Sequence, residues 1–336
     1  MKEAMFYERE GDGQVRCALC RFRCLIAEGS RGACGVRENR GGLLFTLVYG
    51  ELCAEQVDPI EKKPLFHVRP GSGSFSIATM GCNFRCRHCQ NHTISQVPRN
   101  GAVQGVRRSP SEVVGQALAA GCRSIAYTYT EPTIFFEFAH DTARLAREAG
   151  LANIFVTNGY ITREALTLIA PYLDAANIDL KGFNEEFYRD VVHARLSEVL
   201  DSIIEYRRQG VWIELTTLII PGLNDSEEEL QRIASFIVTN LGVDTPWHVS
   251  RFHPTYRMLD RPRTPPATLL RAREIGLAAG LRYVYEGNLP GEGGENTCCP
   301  SCADLLIERH GYAIVMNNIR NGSCPACGAV IAGVGM

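Results

Sequence analysis

Short apolar runs and longer amphipathic stretches alternate through the middle of the chain. Runs of strand character occur at 74–80 (SFSIATM), 124–130 (SIAYTYT), 152–158 (ANIFVTN), 175–181 (AANIDLK), 212–220 (WIELTTLII) and 246–252 (PWHVSRF), with a seventh at 281–287 (LRYVYEG). Helical patterns separate them. SPSEVVGQALAAG opens with a Ser-x-x-Glu start and stops at glycine, and IFFEFAHDTARLAREAG spaces apolar residues by three and four before another glycine. TREALTLIAPYL, LSEVLDSIIEYRRQG, DSEEELQRIASFIVTNLG and PPATLLRAREIGLAAG follow the same habit. The alternation predicts an α/β fold with a parallel sheet and outer helices, and this number of units suits a partial (β/α)6 or complete TIM-type barrel. An open doubly wound sheet is the alternative, but no phosphate-cradling glycine fingerprint follows the first strand. NLPGEGGENT (288–297) reads as a linker. The expected organisation is a segment 1–70, a barrel 71–287 and a terminal segment 288–336.

The 45% hydrophobic content supports a sizeable core in 336 residues. A net charge of −2 argues against non-specific nucleic-acid binding through a basic surface. The start, MKEAMFYEREGDGQVR, is polar and lacks the apolar region of a signal peptide, and no run reaches the roughly 18 apolar residues of a spanning helix. A soluble cytoplasmic protein without membrane contact is expected. In a reducing cytosol 14 cysteines point to metal ligands or catalytic thiols rather than disulfides. They cluster as Cys17, Cys20, Cys24 and Cys34; as Cys82, Cys86 and Cys89; and as Cys298, Cys299, Cys302, Cys324 and Cys327. Cys53 and Cys122 stand alone and are expected to be small buried residues.

The central motif, GCNFRCRHC, follows the first predicted barrel strand directly, so it lies at the C-terminal mouth where barrel active sites sit. Cys-x3-Cys-x2-Cys on one tight loop turns three thiolates toward one inorganic body. A cubane [4Fe–4S] cluster takes four ligands, so three leave one iron open to a small molecule. Gly81 lets the backbone leave the strand. A three-cysteine zinc site completed by His88 or His92 is the alternative.

This loop and its position resemble the radical S-adenosylmethionine (SAM) superfamily. The resemblance implies that the open iron chelates the amino and carboxylate groups of SAM. It also implies that reduction of the cluster yields a 5′-deoxyadenosyl radical. His88 stands where the family commonly has an aromatic residue. YTYTEPT occupies the place of a Gly-Gly-Glu-Pro-like edge, with Tyr129, Thr130 and Glu131 at the matching positions and its glycines absent. The resemblance then makes Glu131 a ligand for the SAM ammonium, Thr157 and Asn158 partners of the ribose, and Asp179 and Lys181 the recognition of its carboxylate. LIIPGLND and WHVSRFHP are similar to segments of glycyl-radical-enzyme activases such as pyruvate formate-lyase activating enzyme, which turns His248 and His253 toward the cavity or the adenine.

Two further cysteine groups flank the barrel. Cys17-x2-Cys20-x3-Cys24-x9-Cys34 has enough thiolates for zinc or a fully ligated [4Fe–4S] cluster, and Arg16, Arg21, Arg23, Arg31, Arg37 and Arg40 are near enough in sequence to offset its charge. Cys299-x2-Cys302-x21-Cys324-x2-Cys327, two Cys-Pro-x-Cys-like turns around a hairpin, looks like a zinc ribbon or rubredoxin knuckle. Cys298 is a bystander, or replaces Cys299 with a one-residue shift. Zinc is the expected ion, with rubredoxin-type iron or an auxiliary cluster as the alternative.

Together these parts resemble, over nearly the whole chain, the radical SAM enzymes of the AmmeMemoRadiSam system. That family implies association with Memo-like and AMMECR-type proteins and an electron donor such as flavodoxin or ferredoxin. The expected function is reductive cleavage of SAM and hydrogen abstraction, in the manner of a glycyl-radical-enzyme activase. The alternatives are modification of a peptide, protein or small metabolite with auxiliary clusters, and a catalytically degenerate scaffold that binds a partner through its ribbon.

Overall fold

The computed structural model describes residues 1–98, 101–289, 291 and 293–336. Residues 290 and 292 of the expected 288–297 linker lie outside the described residues. A nine-stranded sheet dominates. It contains β1 (Glu51–Pro59), β2 (Gly73–Thr79), β3 (Ser124–Tyr127), β4 (Ala152–Thr157), β5 (Ala175–Asp179), β6 (Trp212–Ile219), β7 (Trp247–Arg251) and β8 (Val284–Gly287), with a short edge strand at Val106–Arg107. From β2 to β8 each strand pairs in parallel with the next in sequence. Six helices make the crossovers: α1 (Pro110–Ala119), α2 (Phe136–Glu148), α3 (Arg163–Ile169), α4 (Leu196–Arg208), α5 (Glu227–Asn240) and α6 (Pro266–Ala278).

Local signals explain the helix starts. Ser109 accepts from the Glu112 amide in a full capping box at α1, while Thr162 and Ser226 cap α3 and α5. The predicted helix 162–173 stops early at Ile169 and finishes as a 3₁₀ turn, Ala170–Tyr172, with Pro171 inside it.

Six β/α units and a seventh parallel strand form a partial barrel whose sheet stays open, with β8 at one edge and the Val106–Arg107 strand beyond antiparallel β1 at the other. β1 falls within the segment 1–70 read as a separate unit, yet it belongs to the main sheet through its pairing with β2. The rest of the N-terminal part is two three-stranded antiparallel sheets that lean on α2. Lys2 Nζ meets Asp141 at 2.6 Å, the Met5 amide donates to Glu137 at 2.7 Å, and Phe6 packs edge-on against Phe136.

The open seam is filled by the chain between β1 and β2. Glu214, buried on β6, accepts from the amides of Phe66 at 3.0 Å and His67 at 2.8 Å, and pairs with His248 Nε2 at 2.7 Å. Burial alone would raise the Glu214 carboxyl. The hydrogen bond with His248 and the nearby imidazoles outweigh it and hold the group below its usual range.

A C-terminal ribbon, in which Leu305–His310 pairs with Thr297–Cys298 and Ala313–Asn317, docks on the same segment. Arg309 lies 4.3 Å over the Phe66 ring and donates to its carbonyl at 2.9 Å. The two ring nitrogens of His67 reach Tyr285 Oη at 2.6 Å and the Ala332 carbonyl at 2.7 Å.

Because Glu214 satisfies several buried donors at once, Glu214→Ala is expected to destabilise the protein by about 3 kcal/mol, the cost of breaking a buried pair. A urea titration checks this, and a midpoint equal to that of the parent would remove Glu214 from this role.

Candidate functional site

The ends of β2 to β8 surround one cavity of about 460 Å³ at the C-terminal mouth. Cys82, Cys86 and Cys89 line one wall. Their loop leaves β2 at Gly81, whose φ of +101° suits glycine; a Cβ there would stand 2.7 Å from Val36 Cγ1 and 2.9 Å from the Cys34 carbonyl oxygen. Backbone hydrogen bonds hold the loop from several sides. The Gly81 amide donates to Ile94, the Arg85 amide to Val192 and the Arg87 amide to Val191. Those last two acceptors belong to a π-helical turn, Tyr188–Val192, which closes on His193 in the left-handed region.

The sulfurs have defined neighbours. Asn158 Nδ2 and the Phe84 amide each lie 3.4 Å from Cys82 Sγ, and Ser95 Oγ lies 3.1 Å from Cys89 Sγ. Burial pushes the Cys86 thiol up to about 11 despite the opposing ammonium of Lys181, and burial with the Glu131 carboxylate beside it pushes Cys82 up as well. Metal binding reverses that preference, because a coordinated thiol is deprotonated outright. Three soft thiols facing one cavity fit an iron–sulfur cluster with one position left to a ligand. His88 also lines the cavity, with Nδ1 buried and unpartnered; burial and then Lys181 lower its pKa to about 3, so the ring is neutral. His92, the other imidazole considered for a zinc site, stacks on Tyr256 at 4.4 Å and does not line the cavity.

Thr157, Asn158, Asp179 and Lys181 come together around the cavity at the ends of β4 and β5. Lys181 Nζ meets Asp179 Oδ2 at 2.9 Å. Burial would lower the ammonium, but Asp179 and Cys86 outweigh it and raise Lys181, so it stays charged.

Three expected contacts sit elsewhere. Glu131 is fully buried behind the wall, and its acceptors are taken by Thr133 (3.0 Å from the amide), Thr157 Oγ1 (2.8 Å) and the Asn158 amide (2.7 Å). With Thr133 Oγ1 as a further donor, the Glu131 carboxylate is saturated by groups of the protein. His248 lies below the cavity, bound to Glu214 and edge-on to Phe66 at 4.8 Å, and His253 does not line the cavity. A histidine two residues into a strand faces the barrel floor rather than its mouth.

Other lining residues escaped the sequence reading. Lys63, nearly fully buried, reaches Asp58 Oδ2 at 2.6 Å and sits 4.5 Å over the Tyr129 ring; burial lowers its ammonium to about 8 although Asp58 pulls the other way. Tyr129 itself adopts φ +61° and donates its hydroxyl to Asp58. Asn177, Thr216 and Ser250 complete the polar lining. The parity of strand-end positions points to the last three, whereas nothing local marks Lys63, which arrives from the seam segment.

The C-terminal quartet is tightly gathered. The sulfurs of Cys299, Cys302, Cys324 and Cys327 all lie within 4.8 Å of one another, with Cys299–Cys327 at 3.6 Å and Cys302–Cys324 at 3.7 Å. Zn–S bonds of about 2.3 Å in a tetrahedron place sulfurs about 3.8 Å apart, so this site fits a single ion. Cys298 is exposed and outside the group. At the other end Cys17, Cys20, Cys24 and Cys34 ring a small closed cavity. Of the six arginines near them only Arg37 lines it. The others turn outward to carboxylates: Arg16 to Glu10, Arg21 to Glu198, Arg23 to Glu164, and Arg31 and Arg40 to Glu38. Cys122 is buried and Cys53 half-buried.

Residues 76–237 match the family model described as the radical SAM superfamily. The chain is 47% identical over 333 residues to the uncharacterized protein MJ0808 of Methanocaldococcus jannaschii, covering 98% of this chain and 99% of that one. It is 25% identical over 214 residues to the putative glycyl-radical enzyme activating enzyme MJ1632 of the same organism, covering 61% of this chain and 78% of the relative. Among solved structures, a radical SAM methyltransferase from Sphaerobacter thermophilus overlays with a TM-score of 0.51 at 16% identity, over 65% of this chain and 67% of that one, a likeness of fold.

The crowding at Gly81 yields a direct test of how tightly the cysteine loop is specified. Gly81→Ala is expected to cost about half or more of the bound iron, since a Cβ would press on the Cys34 backbone carbonyl and on the buried Val36 side chain. Iron content and visible absorbance of anoxically purified protein measure the loss; full occupancy would show that the loop adapts.

Proposed function

The chain belongs to the radical SAM superfamily, and from that premise we propose that it is an enzyme in which Cys82, Cys86 and Cys89 hold a [4Fe–4S] cluster while Thr157, Asn158, Asp179 and Lys181 position SAM. The superfamily binds this cluster and SAM. Bound there, such a cluster would supply the electron for reductive cleavage of the SAM sulfonium, and the radical so formed would abstract hydrogen from a substrate. The observation that carries the proposal is the meeting of three thiols and a charged Lys181 in one cavity at the barrel mouth.

The chain's own residues then have separable tasks. Lys181, kept protonated and oriented by Asp179, offers a cation to the SAM carboxylate. Thr157 and Asn158 face the ribose side. Glu131 acts through them as a positioning residue, since it fixes the Thr157 hydroxyl and the Asn158 amide. His248 supports the floor beneath them. The walls exclude water, which protects a carbon radical from side reactions.

For the substrate we take the glycyl-radical-enzyme activase reading, in which hydrogen is removed from a protein glycine. The relation to a putative activase across 61% of the chain supports it, together with the PGLND and WHVSRFHP segments. The end-to-end order of N-terminal quartet, barrel loop and C-terminal ribbon supports membership of the AmmeMemoRadiSam system, with Memo-like and AMMECR-type proteins as partners and a flavodoxin or ferredoxin as donor. No helix among the described residues is long and apolar enough to cross a membrane. A cytoplasmic location suits the number of thiols.

Anoxic incubation with SAM and dithionite is expected to give 5′-deoxyadenosine, and Cys86→Ala to abolish both its formation and the cluster colour. Full cleavage by that variant refutes the assignment. Lys181→Met is expected to weaken SAM binding about tenfold or more while leaving iron content unchanged, as loss of one charged hydrogen bond implies. Unaltered SAM affinity would remove Lys181 from the site.

A further inference from the structure

The N-terminal quartet is not used by the function proposed above, yet its loop packs against the loop that carries Cys82, Cys86 and Cys89. We propose that Cys17, Cys20, Cys24 and Cys34 hold a second, fully ligated [4Fe–4S] cluster that passes single electrons to the Cys82–Cys86–Cys89 site; the electron-transfer part rests on the reading of that site given above.

The arrangement of the thiols favours a cluster over one ion. Among the described residues, the group whose ligand atoms gather within 4.8 Å is the C-terminal quartet, and the N-terminal thiols are spread around a closed cavity instead. A single ion draws its sulfurs together, whereas a cubane gives each thiolate its own iron and holds them farther apart.

Arg37 is the second observation. Its guanidinium is buried against this cavity, with Nη2 spent on the Met5 carbonyl at 2.6 Å and Glu137 at 2.8 Å, while Nε and Nη1 are buried without partners. Unsatisfied buried N–H groups are costly, and the sulfides of a cluster supply the missing acceptors. A cation and donors at that place also offset the negative charge of a four-thiolate cluster and make it easier to reduce.

The two thiol loops touch. The Cys34 carbonyl packs on Gly81, next in chain to Cys82, and Arg85, between Cys82 and Cys86, donates to the Ala33 carbonyl. Tyr160, two residues beyond Asn158, packs against Phe22 from one loop at 4.8 Å and Phe84 from the other at 5.1 Å. In the proposed transfer one electron leaves a low-potential iron–sulfur or flavin protein, reduces the closed cluster and moves on to the open one. The donor is oxidised by one electron, and no bond or proton changes hands.

The test uses full-length protein purified without oxygen. A variant with Cys82, Cys86 and Cys89 changed to Ala is expected to keep about four iron and four sulfide per chain, and to show on dithionite reduction a paramagnetic signal that SAM leaves unchanged. Zinc in place of that iron overturns the proposal. Should the variant not fold, the parent protein decides: about eight iron with one zinc supports the second cluster, and about four iron with two zinc overturns it.

Reduced parent protein is also expected to show signals broadened by coupling between the clusters, and the broadening to vanish when the four N-terminal cysteines are changed to Ala. Two independent unbroadened signals would overturn the electron-transfer part. The two readings fail differently. With about eight iron and no response to SAM, the open-site assignment falls and the closed cluster stands. With 5′-deoxyadenosine formed on about four iron, the reverse holds.

Discussion

Three thiols can serve one body only if a short loop is forced to present them from the same side, and the surroundings of Cys82, Cys86 and Cys89 follow from that demand. Eight residues carry too few internal hydrogen bonds to hold such a shape alone. The fold supplies them externally, from Ile94 on the following turn and from Val191 and Val192 on a π-helical turn after β5. Asn91 ties the end of the loop to the Tyr129 carbonyl beyond β3 at 2.7 Å. Gly81 gives the backbone a conformation and a clearance that a side chain would deny it. Several barrel strands are thus recruited to one loop, so the parallel sheet matters to the site as a frame of fixed strand ends.

The same sheet creates a difficulty, since a partial barrel has two edges and an interior that must not flood. The seam segment answers with a buried polar core, in which Glu214, His67, His248 and Tyr285 hydrogen-bond to one another and Arg309 donates beside them to Thr297 and to the carbonyls of Phe66 and Glu295. Such a network is stable only when every member finds a partner. That requirement explains why the floor of the cavity contains so much ionisable chemistry that takes no part in positioning SAM. It also separates two histidines with different surroundings: His248 is tied into the floor, and His88 stands neutral on the cavity wall.

The repeated strand–helix rhythm and the three cysteine groups were readable along the chain because each is a local signal. Cys82 to Cys89 follow β2 at once, and residues such as Asp179 and Lys181 end their strand, so sequence order alone brings them to one mouth. Glu131 and His248 lie off the cavity for a shared reason. Strand position gives the height of a residue in the barrel, but its hydrogen-bond partners come from elsewhere, and burial plus those partners turned both away from the cavity. Lys63 was invisible because the seam segment has no counterpart in a closed barrel. The identity of β1 as part of the main sheet was hidden likewise, since antiparallel edge pairing leaves no periodic mark across a domain boundary.

Tyr312, at the tip of the ribbon hairpin, helps line the cavity even though it belongs to the part of the chain translated after the barrel. Domains tend to fold in the order in which they leave the ribosome. The chamber therefore lacks part of its lining until the ribbon has been made and has docked. Order of synthesis thus becomes order of assembly, with the smallest part of the molecule acting as the last stone.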